Sequence, residues 1–358
     1  MGLTGDLVPP RGRECQGGPA RSDRSRRDRG RLVAAPLGRR ARAGPRAGVA
    51  LAGPGNARPA HRRQTGPVEA AHALLDWERD AVVKHAEQWG GIDRSHRKLA
   101  HRGSRLDLVH VSESTVLRVL TAAGVHLPER GAPASVAPRG AWPEWAELVP
   151  GIIWIYDFTH LRGTRWCAVA VMDVVSRYWL ATVVSPEESS TQLEVVFTRA
   201  LTADGKDHLL DAALLDELTS GAVPEAHELP ALLALSDNGP QMTSKHTAAF
   251  MAGARIAQHF GRPGTPNDQA WIESLFGHVK DEFGHLDKIV DPGELEAELE
   301  HVRVFHNTVR LHQSLGYATP EDEHTGRGPA VRAARRAKLQ AAQTARIAYR
   351  RQLRQDHP

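Results

Sequence analysis

Leu235-Ser236-Asp237-Asn238-Gly239-Pro240 is the stretch from which the chain is best read, together with Glu273 further on. Leu229 to Leu235 is an apolar run that reads as a buried strand. It stops at Asp237, where Asn-Gly-Pro forces a turn. A carboxylate at the mouth of a buried strand is costly unless something pairs with it, and a divalent cation is the usual partner. Glu273 lies 36 positions on, in Asp268-Gln269-Ala270-Trp271-Ile272-Glu273-Ser274-Leu275-Phe276, which reads as a helix start. Upstream, Ile152 to Thr159 is a second apolar strand with one acid in it, Asp157. Two strand carboxylates and one helix carboxylate make a three-acid site for hard cations.

The chain has 358 residues, room for two domains plus tails, and 41% hydrophobic content supports a real core. It has no run of eighteen apolar residues and no apolar signal core at its start, so neither a membrane span nor secretion is expected. Cys15 and Cys167 suit neither a disulfide framework nor a zinc site, and a reducing cytoplasm is the expected setting. The net charge of +4 is unevenly spread. Residues 1–66 hold fifteen arginines against four acids, and residues 326–358 hold nine Lys/Arg against one, which leaves the middle at −15. Basic ends suit a polyanion such as nucleic acid, or are simply solvated chain.

Residues 1–66, rich in Arg, Gly, Pro and Ala, show no helical or strand period and read as disordered, or as the product of a start codon placed too early. Segment 67–127 reads as a small all-α domain. Val68 to Trp89 carries apolar residues at helical spacing and ends at Gly90-Gly91. A second helix runs from the Ser95 cap to Arg102, broken by Gly103-Ser104, and a third starts at Ser112 and closes at Gly124. Two short helices joined by a turn match a helix-turn-helix unit. Its second helix would present Ser112, Ser114, Thr115 and Arg118 to base edges, while Arg94, Arg97, Lys98, Arg102 and Arg105 would meet phosphates. A three-helix module that never touches DNA has the same pattern.

Pro-rich residues 128–149 read as a linker whose Trp142 and Trp145 cap the next core. Residues 150–325 then give three strands separated by short turns, 152–158, 166–172 and 178–184, which implies antiparallel neighbours. A helix over 191–201, a polar stretch over 203–230, a strand at 232–235, a helix near 244–252, a strand at 256–260 and the Glu273 helix follow. That order is an α/β layout with a mixed sheet. Residues 326–358 read as a disordered basic tail.

Breaking or joining a phosphodiester needs an activated oxygen nucleophile and a stabilised leaving oxygen. Two divalent ions roughly 3.5–4 Å apart supply both. Mg²⁺ takes oxygen ligands and keeps waters, so a few carboxylates suffice. Asp157 would bridge both ions, and Asp237 and Glu273 would each hold mainly one. Lys280, seven positions after Glu273, shares its helix face and is placed to meet a phosphate. Asp173 at a strand end reads as a turn residue. His160 either orients substrate or simply follows the strand, and Trp154 and Phe158 read as core. No nucleophile elbow or glycine-rich phosphate loop is present.

Trp154-Ile155-Tyr156-Asp157-Phe158-Thr159-His160, Ser236-Asp237-Asn238-Gly239-Pro240 and Glu273-Ser274-Leu275-Phe276 with Lys280 resemble the catalytic core of DDE transposases and retroviral-type integrases. The block from Phe305 to Pro320, containing His306-Asn307-Thr308-Val309-Arg310-Leu311-His312, is similar to the one that closes this core in bacterial insertion-sequence transposases of the OrfB type. The resemblance spans about 150–325, and the helix-turn-helix ahead of it suits the same family. It implies an RNase H-like fold and three acids (Asp157, Asp237, Glu273) on Mg²⁺ or Mn²⁺, two ions in all. Water-driven cleavage at the 3′ end would be followed by attack of the freed 3′-OH on DNA. The implied partners are double-stranded DNA, further copies of the chain on paired ends, and an upstream-frame OrfA-type protein; the implied location is the bacterial cytoplasm, at the nucleoid. Three features depart from the pattern. The first two acids stand 80 apart, wider than expected, with the surplus placed at 203–230. Asn267-Asp268 stands where Asn-Gly is usual, with Trp271 close to the Glu. Residues 1–66 do not look like an OrfA product.

His306, Arg310 and His312 read as a polar helix face, either DNA-facing or core-supporting, with Arg310 and His312 entered among the DNA contacts. Two other functions share these features: an inactive or regulatory DNA-binding relic of an insertion element, and a nuclease of the same fold that cuts without joining. The helix-turn-helix and the closing block favour the transposase over the nuclease.

Overall fold

The computed structural model of the chain describes residues 70–128, 142–161, 163–210, 230–261 and 269–356. The Arg-rich segment 1–66, most of the linker, most of the 203–230 stretch and the Asn267-Asp268 pair lie outside the described residues.

Strand β1 (Ile153–His160) is the centre of a five-stranded sheet. Its partners are β2 (Cys167–Asp173) on one side and β4 (Leu232–Ser236) on the other; β3 (Trp179–Ser185) and β5 (Ile256–Phe260) form the edges, giving the order β3-β2-β1-β4-β5. The first three strands pair antiparallel through short turns, and β4 and β5 run parallel to β1. Because side chains alternate along a strand, β1 feeds two cores. Trp154, Tyr156 and Phe158 pack with Leu193, Val196 and Phe197 of helix α4 (Ser190–Ala203) and with Phe250 of α5 (Lys245–Gly253). Ile153 and Ile155 face the other way, onto Ile272, Leu275, Phe276 and Val279 of α6 (Ala270–Glu282) and Leu295, Leu299 and Val302 of α7 (Pro292–Thr308). Burying one such side chain contributes about 1.5–3 kcal/mol. Helices on both faces of this mixed sheet agree with the RNase H-like fold that the sequence resemblance implies. Trp142 and Trp145 pack against the second core, as the sequence suggested.

Ser95 and Ser112 cap their helices as read, and Ser189, Ser244 and Asp291 do the same for three later ones. Ser112, Ser189, Ser244 and Asp291 each accept the amide of the third residue beyond, and Ser95 accepts that of Arg97. Helix α1 (Asp76–Trp89) begins eight residues later than Val68, the predicted start, because the Glu78 carboxylate accepts the Leu75 amide and fixes the first turn there. Helix α2 (His96–Arg105) does not break at Gly103-Ser104. A Cβ on Gly103 would stand 3.2 Å from Val109 Cγ1, so this glycine permits close packing, and the turn falls at Asp107, which has φ 54°. Helix α3 (Glu113–Ala122) follows. Val82, Ala86, Trp89, Leu99, Val116 and Leu120 give the three helices a core of their own.

The clearest departure from the sequence reading is the C-terminal end. After the short helix α8 (Pro320–His324), residues Gly328–Asp356 form one long helix, α9, rather than a disordered tail. Its Ala, Arg, Gln, Lys and Leu content is strongly helix-forming, and its cations find partners within the molecule. Arg332 pairs with Glu323 and Lys338 with Asp107. Arg335 donates to the carbonyls of Gly316 and Tyr317 and to His101 Nδ1. Arg346 forms a buried ion pair with Glu78 at 2.9 Å and donates to the His110 carbonyl at 2.7 Å. The helical module is therefore strapped to the rest of the molecule, and residues 71–358 cluster as one compact unit.

Arg346→Ala should cost about 3–5 kcal/mol, because it leaves the Glu78 carboxylate buried without a partner. The double variant with Glu78→Gln should recover most of that. Urea denaturation followed by circular dichroism reads both; a loss under ~1 kcal/mol would mean α9 is not docked in solution.

Candidate active site

The parallel register of β1 and β4 aligns Ile153 with Leu233 and Ile155 with Leu235. Carried two residues on, it sets Asp157, within β1, level with Asp237, one residue past the carboxyl end of β4. The chain passes from β3 through α4 to β4 on the far side of β1, so the two acids lie beside the point where strand order reverses, the usual place for a site in such sheets. The alternation that turns Ile153 and Ile155 toward α6 turns Asp157 the same way. Glu273, in the first turn of α6, comes from that layer.

Asp157 is half-buried, and its Oδ1 accepts the Phe158 amide at 2.8 Å. Its carboxyl is pushed up to about 7. Burial is the largest cause, and the negative charges of Asp237, Glu188 and Glu273 add to it. Asp237 and Glu273 are exposed. Asp237 Oδ1 accepts the Gly239 amide at 3.0 Å, a tight turn in which a Cβ on Gly239 would stand 3.1 Å from that same oxygen. Asn238 Nδ2 ties the turn to the Gly261 carbonyl at 2.9 Å. Among the described residues no three His, Cys, Asp or Glu side chains close on one point as an ion would hold them. The donor set is nonetheless all carboxylate, the chemistry of a hard-cation site.

Glu188 was not singled out in the sequence. It sits in the loop before α4, where its carboxylate pairs with His160 Nε2 at 2.9 Å and accepts Gln241 Nε2 at 3.0 Å. Nothing in Pro186-Glu187-Glu188-Ser189 signals this, because only the fold carries that loop to the strand ends. His160 is thereby engaged by a carboxylate. Asp173 is fully buried and accepts from Gly151 N, Ser176 N and Ser176 Oγ, which makes it a turn residue as read. Lys280 lies two turns along α6 from Glu273, beside Thr159, Thr182 and Phe276.

The structure separates the DNA-contact candidates. Ser114 and Arg118 are exposed on α3; Thr115 is half-buried and accepts from Arg118 Nη2 at 3.1 Å. Arg94 and Arg97 reach the surface, with Arg97 3.4 Å from Glu113. Lys98 and Arg102 are buried. Arg102 bonds Asp93 at 2.8 Å and the Val309 carbonyl at 2.7 Å, over the Trp89 ring, and Arg105 pairs with Asp322. Arg310 is buried in an ion pair with Glu282. The ring of His312 stands 4.9 Å from that of His306, and burial holds its pKa well below the usual value. Burial likewise takes His306 down to about 3, with Nε2 2.9 Å from the Arg177 carbonyl. The expectation that Lys98, Arg102, Arg310 and His312 face DNA is thus corrected: desolvated cations and neutral rings here hold the closing block together.

The integrase core domain family matches residues 148–266 and again 254–320. The transposase for insertion sequence element IS904 of Lactococcus lactis subsp. lactis (strain IL1403) is 25% identical over 271 residues, which cover 73% of this chain and 97% of that protein. Among solved structures, the simian T-cell lymphotropic virus intasome in complex with PP2A regulatory subunit B56 gamma is 17% identical, covers 62% of this chain and 69% of its own, and has a TM-score of 0.38. The HTLV-2 integrase catalytic core domain in complex with magnesium, in its trimeric form, is 18% identical and covers 49% and 98%, with a TM-score of 0.36.

A carboxyl whose pKa is higher folded than unfolded holds its proton more tightly in the folded state. Stability is then full below the unfolded value and falls as pH rises from about 4 to about 7. Asp157→Asn removes that loss. In chelator, the variant should melt above wild type at about pH 8 and level with it at about pH 4. Equal melting temperatures at both would show that Asp157 is not crowded by like charge.

Proposed function

We propose, on the premise that residues 148–320 are an integrase core domain of the insertion-sequence transposase kind, that this protein catalyses the DNA cleavage and joining steps of transposition through Asp157, Asp237 and Glu273. The observation that carries the reading is the register of β1 and β4, which sets Asp157 of β1 level with Asp237 just beyond β4, on the face covered by the Glu273 helix. The curated relative's name, a transposase, supports the same reaction class.

Asp157, Asp237 and Glu273 would hold divalent cations, Mg²⁺ or Mn²⁺ and two of them, which supply an activated oxygen nucleophile and a stabilised leaving oxygen when bound. Water attacks the scissile phosphate, a new P–O bond forms, and the 3′ oxygen departs as a hydroxyl. That hydroxyl then attacks a phosphate of the target strand and displaces its 3′ oxygen in turn. The protein places the phosphate against the strand ends, and Lys280 offers it a cation along α6. Asp157, whose carboxyl burial and the neighbouring acids push up to about 7, would hold a cation in its deprotonated form.

Double-stranded DNA is the substrate. Helix α3 lies in the major groove with Ser114, Thr115 and Arg118 at base edges, and Arg94 and Arg97 rest on phosphates. Paired element ends call for at least two copies of the chain.

The test is strand cleavage in Mg²⁺ and Mn²⁺ on labelled duplexes carrying the ends of the element that flanks the gene. Wild type should nick at the ends, and Asp237→Asn or Glu273→Gln should lose about 10³-fold or more in rate. Arg118→Ala should weaken end binding with no loss of fold. Nicking that persists in both acid variants overturns the three-acid mechanism. Binding with no nicking, even with an OrfA-type protein added, would make the chain a DNA-binding relic.

A further inference from the structure

Helix α3 has two faces of opposite character. Val116 and Leu120 are each 2% exposed and anchor its inner side in the helical core. The outer side carries Ser114, Leu117, Arg118 and Thr121, at the i, i+3, i+4 and i+7 spacing of one helical stripe. All four are exposed. Leu117 stands in the middle of that stripe, 47% exposed, with a polar side chain one turn before it and another one turn after it. The stripe's direction is fixed, because Ser112 caps the helix and the inner valine and leucine lock its rotation.

Two observations identify what covers this leucine. Its neighbours are hydroxyls and a guanidinium, the groups that read donor and acceptor edges of bases. Of the six Lys/Arg in residues 94–118, Lys98 and Arg102 are buried and Arg105 pairs with Asp322, while Arg94, Arg97 and Arg118 carry positive charge at the surface, Arg97 at 3.4 Å from Glu113. That is a charge pattern suited to a nucleic-acid duplex. In the major groove the apolar group available to a leucine is the C5 methyl of thymine.

We infer that Leu117 is a specificity-determining residue that packs on a thymine methyl, one position from the base step read by Arg118. The inference rests on the proposed DNA-binding role of α2 and α3 and adds the base and the atom. Burying one methyl group against a leucine changes affinity by roughly fourfold. The contact is therefore a discriminator between bases rather than the main source of binding, which comes from phosphates.

The experiment uses the full-length protein. Duplexes are selected from a random-sequence pool by wild type, and each thymine of the winning site is replaced in turn by 2′-deoxyuridine, which lacks only the methyl. At one position the replacement should weaken wild type by roughly three- to fivefold. Leu117→Ser should bind the thymine duplex that much more weakly and be indifferent to deoxyuridine there. Leu117→Met should keep the preference. Leu117 is exposed, so the variants should fold, and circular dichroism checks it. Sequence-selective binding that depends on Arg118 yet ignores every thymine methyl, or a methyl effect that survives in Leu117→Ser, overturns the inference alone. Failure to enrich any duplex overturns it together with the DNA-binding role of α3.

Discussion

The parallel ladder between β1 and β4 is the constraint on which this molecule depends. It is short, three aligned residue pairs from Ile153 to Ile155. Both strands are buried, and β1 has helices against each of its faces. A slip of one residue would exchange the two cores, putting Trp154 and Tyr156 where Ile153 and Ile155 now sit. The same slip would turn Asp157 away from α6. The packing that makes the sheet stable and the geometry that gathers the acids are therefore one arrangement.

That arrangement carries an electrostatic load. Asp157 is half out of water, with three further carboxylates acting on it. The fold tolerates this because Asp237 and Glu273 remain solvated and because the Phe158 amide and the 237–239 turn supply hydrogen bonds. Glu188 is held by His160 and Gln241, so the loop that starts α4 and the segment that follows Asp237 are tied to the end of β1.

Elsewhere positive charge is neutralised by the molecule itself. Arg102 with Asp93, Arg310 with Glu282 and Arg346 with Glu78 are buried pairs, and each joins segments far apart in sequence or packs a helix end. Arg102 also reaches the Val309 carbonyl, and Tyr317 stacks on His101 at 4.2 Å, so the block that closes the sheet domain is also the platform for the helical module. Cations left facing solvent on that module include Arg79 and Lys84 of α1, Arg97 of α2 and Arg118 of α3.

The sequence by itself determined most of the elements and pointed to the three acids. The apolar run at 152–158, the serine caps at Ser95 and Ser112, the Asn-Gly-Pro turn after Asp237 and the helix start around Glu273 are local patterns, and local backbone preference and burial write them directly into residue order. It also identified Arg118 as an outward residue of α3. Tertiary structure alone decided the rest. It brought Glu188 beside Asp157, kept α2 intact through Gly103, turned a basic C-terminal segment into the helix α9, and buried Lys98, Arg102, Arg310 and His312. The intact α2 rests on the close packing of Gly103 against Val109, and the other three outcomes share one physical reason. A charge shows its sign in the sequence but not its partner, and a partner 28 residues away, as for Arg310 and Glu282, or 268 away, as for Arg346 and Glu78, exists only once the chain has folded.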